Sequence, residues 1–130
     1  MGIWSCIGQD LQTVTENLKL GRSGIIFDPQ RIEYGLHSGL TGNVPRPNLK
    51  PLLPRKYRAT MSEDTEYAYM AAKQAFEQAG VDDTYLRENE VGIIFGNDGN
   101  PHVHEYLNTM EEEHDSLLLG PNAVFQSSTS

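Results

Sequence analysis

The chain has 130 residues, of which 38% are hydrophobic and 22% charged, and its formal net charge is −8. This length fits one domain with a moderate core, and the mean hydropathy is −0.49. No apolar run approaches a membrane span or a signal peptide, and the acidity argues against nonspecific nucleic-acid binding. The single cysteine, Cys6, excludes an internal disulfide and favours a reducing, cytoplasmic compartment.

Gln9 or Asp10 is expected to cap a first helix, whose apolar residues recur at helical spacing and which ends at Gly21. Residues 25–44 are expected to be irregular, with two short extended pieces. Four prolines then make residues 45–54 an extended connector without helix.

The charge is distributed unevenly. Residues 1–59 carry eight Lys/Arg and four Asp/Glu, a net charge of +4, whereas residues 60–130 carry two Lys/Arg and fourteen Asp/Glu, a net charge of −12. Half of the cations lie in residues 46–58, which contain no acidic residue; they are Arg46, Lys50, Arg55, Lys56 and Arg58. This cluster predicts that a small acidic partner is steered to it, although a solvated loop explains many such clusters equally well.

A long helix is predicted over residues 60–80. Thr60 and Glu63 have the spacing of a capping box, carboxylates fill the first turn, where the helix dipole favours them, and Gly80 is a natural stop. A broad small-residue surface follows helical spacing; its members are Ala68, Tyr69, Ala71, Ala72, Ala75, Phe76 and Ala79. Small side chains on several sides predict an inner helix, covered on more than one side.

Asp82 or Asp83 is expected to begin a single helical turn before residues 91–95. That segment, VGIIF, shows no polar alternation, so a strand covered on both faces is predicted, as in a parallel sheet. It leads into residues 96–101, a polar glycine loop at the carboxyl end of a strand, where ligands of open α/β sheets bind. A tight turn without function is the alternative.

The order and spacing of several short motifs resemble a known family, the β-ketoacyl-acyl carrier protein synthases, with the type I condensing enzymes most similar. The motifs are Gly21-Arg22-Ser23-Gly24-Ile25, Gly42-Asn43-Val44, Arg55-Lys56, Met61-Ser62, Tyr67-Ala68-Tyr69, Gln74-Ala75, Ala79-Gly80 and Val91-Gly92-Ile93-Ile94. The resemblance covers nearly the whole chain. It implies an α/β fold, a partial thiolase-like architecture of layers α-β-α-β-α, with residues 1–130 as one partial, N-terminal domain.

The resemblance also implies an activity, the decarboxylating Claisen condensation of fatty-acid elongation. In the family, an acyl group moves to a cysteine thiolate and two histidines stabilise the enolate formed from a malonyl-carrier thioester. None of the chain's histidines, at positions 37, 102, 104 and 114, matches those two, and the family's cysteine lies beyond residue 130. No catalytic residue is therefore assigned, the chain alone is expected to be inactive, and the intact parent is expected to be a homodimer.

Basic residues at the position of the 55–58 segment help the family's enzymes to dock the acidic acyl carrier protein. The resemblance thus predicts carrier-protein binding by Arg55, Lys56 and Arg58, of which Lys56 matches best. Arg58 is one residue away from the family's second arginine, where this chain has Ala59. Gly99 falls where the family lines the inner end of its acyl pocket, although Asp98 and Pro101 depart from the usual glycine-rich loop.

Other candidate chemistry is weaker. Cys6 is expected to be structural, because an isolated free cysteine usually acts as a small hydrophobe. His102 and His104 are two residues apart and do not share a helix face, and residues 97–100 lack the carboxylate spacing of a calcium loop. The sequence predicts neither a metal nor a cofactor. Two alternative hypotheses are a noncatalytic module that binds a carrier protein or pairs with a synthase subunit, and an ill-folded fragment with exposed apolar patches.

Overall fold

The computed structural model describes residues 1–96. The chain divides into two units, Met1–Arg46 with Tyr69–Glu90, and Pro47–Ala68 with Val91–Ser130. The elements in chain order are α1 (Leu11–Lys19), β1 (Ile26–Phe27), α2 (Pro29–Glu33), β2 (Leu40–Thr41), α3 (Arg55–Arg58), α4 (Glu63–Ala79) and α5 (Asp83–Glu88). Mixed helix and a small sheet fit a partial α/β domain.

Helix ends in the described part follow local chemistry. Asp10 caps α1, because its Oδ1 accepts a hydrogen bond from the Thr13 N–H at 2.8 Å, and Asp82 caps α5 in the same way. Gly21 and Gly80 end α1 and α4 with φ of 64° and 70°, the left-handed conformation that suits glycine. These four predicted ends are confirmed.

The predicted start of α4 at Thr60 is wrong. The helix begins at Glu63, and Ser62 Oγ accepts from the Thr65 N–H at 3.3 Å. The Thr60 hydroxyl donates instead to the carbonyl of Tyr57, 3.1 Å away. Ser62 and Thr65 share the hydroxyl-to-N–H spacing that Thr60 and Glu63 also offered, so spacing alone could not choose between the two caps.

In the first unit, the N-terminal segment packs along α4. The side chain of Gln74 accepts from the Ile3 N–H at 3.0 Å and donates to the Gln9 carbonyl at 2.6 Å. Gly2 lies against the backbone carbonyl of Ala71, where a Cβ atom would collide. One glutamine therefore holds both ends of the Ile3–Gln9 stretch against the helix.

The sheet of the first unit has two strands. β1 and β2 pair antiparallel, with Ile26 opposite Thr41 and Phe27 opposite Leu40. The Phe27 ring lies over Gly39, and a side chain there would overlap it. The two short extended pieces predicted in residues 25–44 are thus confirmed. The short helix α2, which lies between them, was not predicted.

Two predictions about covered elements are wrong in the described structure. Only Glu66 is buried among the residues of α4, so this is a half-buried helix and not an inner one. Residues 91–95 form no strand and are exposed throughout, with Ile94 97% exposed. A strand needs a neighbouring strand to complete its hydrogen bonds, and within residues 1–96 the only paired strands are β1 and β2.

Within residues 1–96, none of the helices is long and apolar enough to cross a membrane. The same residues contain no group of three His, Cys, Asp or Glu side chains that could hold a metal ion.

Candidate functional site

The described part of the second unit is built on a turn that precedes α3. The carbonyl of Leu49 accepts hydrogen bonds from the N–H groups of Leu52 at 3.1 Å and Leu53 at 2.9 Å. Leu49 itself is only 3% exposed, so its apolar side chain is buried. This covered leucine anchors the segment from which the cationic helix begins.

α3 is a single turn of helix over Arg55–Arg58, where the sequence predicted either a loop or a docking segment. Pro54 precedes it, and a proline is tolerated at a helix start because its missing N–H is not needed there. The Arg55 carbonyl accepts from the Ala59 N–H at 3.0 Å, which closes the turn. The helix thus presents three predicted site residues on a fixed backbone.

The three cations of α3 differ in their surroundings. Arg58 is half-buried, and its Nε donates to the Leu53 carbonyl at 3.0 Å. Arg55 and Lys56 are exposed, and within the described part of the chain neither forms an ion pair. Two of the three predicted site residues are therefore open to a partner, while the third also ties α3 to the preceding turn.

The Lys56 ammonium lies over the ring of Tyr57, 4.6 Å from its centroid. This distance falls within the range of an attractive cation–π contact. A charge count does not select Tyr57. The available signal was an aromatic residue interleaved among cations, Arg-Lys-Tyr-Arg.

Lys73, on α4, shows what a cation already paired within the chain looks like. Its ammonium is hydrogen-bonded to Glu77 one turn further on, and this bond raises the pKa of Lys73 above its ordinary value. The charge of Lys73 is thus paired with a carboxylate of the same helix, whereas Arg55 and Lys56 form no ion pair in the described part.

The remaining sequence candidates lie elsewhere. Lys50 is exposed in the turn before α3, whereas Arg46 belongs to the first unit. Gly99 and the histidines at 102, 104 and 114 lie outside the described residues, so their predicted roles stay predictions. Cys6 is half-buried in the first unit, where its backbone lies against Gly24 and its Sγ faces Gly42.

The chain matches the family model "Beta-ketoacyl synthase, N-terminal domain" over residues 1–129. It belongs to the β-ketoacyl synthase family. This confirms the resemblance found in the motifs, and it does so without reference to the structure of residues 91–95.

Curated relatives of this β-ketoacyl synthase chain are 3-oxoacyl-[acyl-carrier-protein] synthases. It is 36% identical over 100 residues to synthase 1 of Escherichia coli (strain K12), covering 76% of this chain and 24% of that protein. It is 30% identical over 127 residues to synthase 2 of Staphylococcus aureus, covering 95% of this chain and 30% of that protein. The chain therefore spans about a quarter of the length of the relatives it matches.

Proposed function

We propose that the chain is the carrier-protein-docking N-terminal part of a β-ketoacyl-acyl carrier protein synthase, and that Arg55, Lys56 and Arg58 form the docking surface. The observation that carries this proposal is the pair of exposed cations on α3, Arg55 and Lys56, which form no ion pair within the described residues. The relatives' names supply the partner, an acyl carrier protein.

Electrostatics supports this assignment. Residues 46–58 contain five cations and no acidic residue, whereas residues 60–130 have a net charge of −12. An acidic partner is therefore attracted to the first segment and repelled by the second. Each exposed ion pair contributes little affinity, roughly 0.2–1 kcal/mol. Several together raise the encounter rate and fix the orientation of the partner.

The reaction proposed for the intact parent is the decarboxylating condensation of an acyl thioester with a malonyl-carrier thioester, in cytoplasmic fatty-acid elongation, by a homodimer. In this proposal the present chain contributes docking and, through Gly99, the inner end of the acyl pocket, within one partial thiolase-like domain. In this proposal it contributes no nucleophile, since its one thiol, Cys6, does not match the cysteine of the family's reaction. The 130-residue chain is expected to form no condensation product above the no-enzyme background; turnover would contradict this division of roles.

The docking proposal is tested by the affinity of the 130-residue chain for a holo-acyl carrier protein at low salt. Arg55→Glu with Lys56→Glu should weaken binding by about ten-fold or more, since two attractions become repulsions. The matched control is Lys19→Glu with Arg22→Glu, which makes the same charge change at two exposed residues outside α3 and should leave most of the affinity. Equal losses in both double variants would show only a net-charge effect and would refute the site.

A second candidate function is a noncatalytic module that binds the carrier protein or pairs with a complete synthase subunit. The basic cluster, residues 46–58, favours it as much as it favours the first proposal, because docking needs no catalytic residue. Adding the chain to a complete synthase separates the two roles of such a module. Competition for carrier protein without complex formation supports a binding module, whereas a stable complex with the synthase supports subunit pairing.

A further inference from the structure

We infer that Tyr57 is a positioning residue of the docking surface, which holds the Lys56 ammonium in place before an acidic partner arrives. The inference rests on the proposed docking function and deepens it, because it assigns a role to a residue that carries no charge. It predicts that affinity depends on an aromatic ring at position 57.

The contact itself is the first support. The Lys56 ammonium lies 4.6 Å from the centroid of the Tyr57 ring, and an ammonium within about 6 Å of an aromatic face is attracted by the ring quadrupole. Tyr57 is 53% exposed, so its ring is largely free of core packing. Both members of the contact therefore lie on the surface that a partner would meet.

The backbone beneath the ring is fixed on both sides. The N–H of Tyr57 donates to the Pro54 carbonyl at 3.1 Å, and its carbonyl accepts from the Thr60 hydroxyl at 3.1 Å. Arg58, the next residue, is tied to Leu53. A ring on such a backbone is a stable platform for the neighbouring cation.

Holding Lys56 matters because of the lysine stem. An ammonium on a four-carbon chain with many rotamers loses much conformational entropy when it is immobilised in an ion pair, and this loss offsets most of the attraction at exposed sites. A lysine already held over a ring has less freedom to lose, so its ion pair with a partner is stronger. Lys50, which has no such ring contact in the described part, gains nothing in this way.

The test is a double-mutant cycle on affinity for holo-acyl carrier protein at low salt, using the 130-residue chain. Tyr57→Leu should weaken binding by about two- to five-fold, the worth of an exposed cation–π contact, and Tyr57→Phe should bind like the unmodified chain because it keeps the ring. In a Lys56→Met background, Tyr57→Leu should cause no further loss, since the cation that the ring positions is gone.

A second measurement does not depend on binding or on the partner. In NMR spectra, the ε-methylene protons of Lys56 should show an upfield ring-current shift in the unmodified chain and in Tyr57→Phe, and should lose it in Tyr57→Leu. A normal shift in the unmodified chain would overturn the inference.

The outcomes separate this inference from the docking proposal. If Arg55→Glu with Lys56→Glu and also Lys56→Met leave affinity unchanged, the docking function fails. If those variants weaken binding while Tyr57→Leu does not, or Tyr57→Leu weakens it equally in the Lys56→Met background, docking stands and the positioning role of Tyr57 is refuted.

Discussion

The Nε of Arg58 donates a hydrogen bond to the backbone carbonyl of Leu53 at 3.0 Å, so this cation faces back onto the turn that carries α3. Arg58 is half-buried there, whereas Lys56, two residues before it, is exposed. One cationic helix thus combines a residue that supports the surface with residues that are open to a partner.

This contrast predicts that neutralising Arg58 mainly affects stability, whereas neutralising Lys56 mainly affects carrier-protein affinity. Arg58→Gln should lower the free energy of unfolding by roughly 0.5–1.5 kcal/mol, the net worth of one hydrogen bond, and should change carrier-protein affinity less than Lys56→Gln does. Lys56→Gln should lower the free energy of unfolding by at most about 0.5–1 kcal/mol, because in the described part its ammonium contacts only an exposed ring. Urea unfolding and titration calorimetry on both variants provide the measurements; the reverse ranking of affinities would contradict the assignment.

Gln74 is predicted to hold the N-terminal segment on α4. Gln74→Leu removes the hydrogen bonds to Ile3 and Gln9 and leaves those backbone groups unpaired, so it should lower the free energy of unfolding by roughly 1–3 kcal/mol. Gln12→Leu is the matched control, because Gln12 is exposed and bonds only Glu16 on its own helix. Amide hydrogen exchange should accelerate at Ile3 in the Gln74 variant and not in the Gln12 variant. Unchanged exchange would show that the two hydrogen bonds of Gln74 do not hold the N-terminal segment.

Gly80 is predicted to be intolerant of a side chain. It has φ of 70°, and its N–H and that of Val81 donate to the carbonyls of Glu77 and Phe76, which completes the end of α4. Gly80→Ala should lower the melting temperature, at a cost of roughly 1–2 kcal/mol for a left-handed alanine. Gly92→Ala, where nothing lies within 4 Å of a new Cβ and no positive φ occurs, should have little effect. Equal melting temperatures for both variants would argue against this helix end.

The stability of the first unit is predicted to depend on pH through Asp10. Hydrogen bonds from the backbone N–H and then the hydroxyl of Thr13 lower the pKa of Asp10 below its ordinary value of 3.8. Because the folded chain binds the proton less readily than the unfolded chain, the carboxylate stabilises the fold above about pH 4, and this contribution is lost as the pH falls through the lowered pKa. The stability difference between the unmodified chain and Asp10→Asn should therefore shrink as the pH falls below the ordinary value of 3.8 and through the lowered pKa. A difference that does not vary with pH would show that the charge is not involved.

Helix ends were predictable from the sequence because their causes are local. Asp10, Asp82, Gly21 and Gly80 act through atoms within a few residues, and all four take the predicted positions. Thr60 was the exception, since Ser62 offered an equivalent hydroxyl two residues later.

Elements that need distant partners were not predictable in the same way. The apolar run at residues 91–95 predicted a strand covered on both faces. In the described structure this segment is exposed and pairs with no strand. α4 carries the small residues of an inner helix but is covered only in part. Both patterns depend on neighbouring surfaces, which the sequence of the segment itself does not describe.

The sequence was sufficient to locate the cations of the site. The differences in their burial and contacts were visible only in the structure. Charge counting places Arg55, Lys56 and Arg58 together without distinguishing them. The hydrogen bond of Arg58 and the ring beneath Lys56 depend on side-chain directions, which a charge pattern does not encode.

The most direct test of the docking surface is an NMR titration of the isotopically labelled 130-residue chain with unlabelled holo-acyl carrier protein at low salt. The amide signals with the largest shifts should cluster in residues 52–60, around α3, and added salt should abolish the shifts. No shifts at low salt, or shifts concentrated in the first unit with residues 52–60 unaffected, would contradict it.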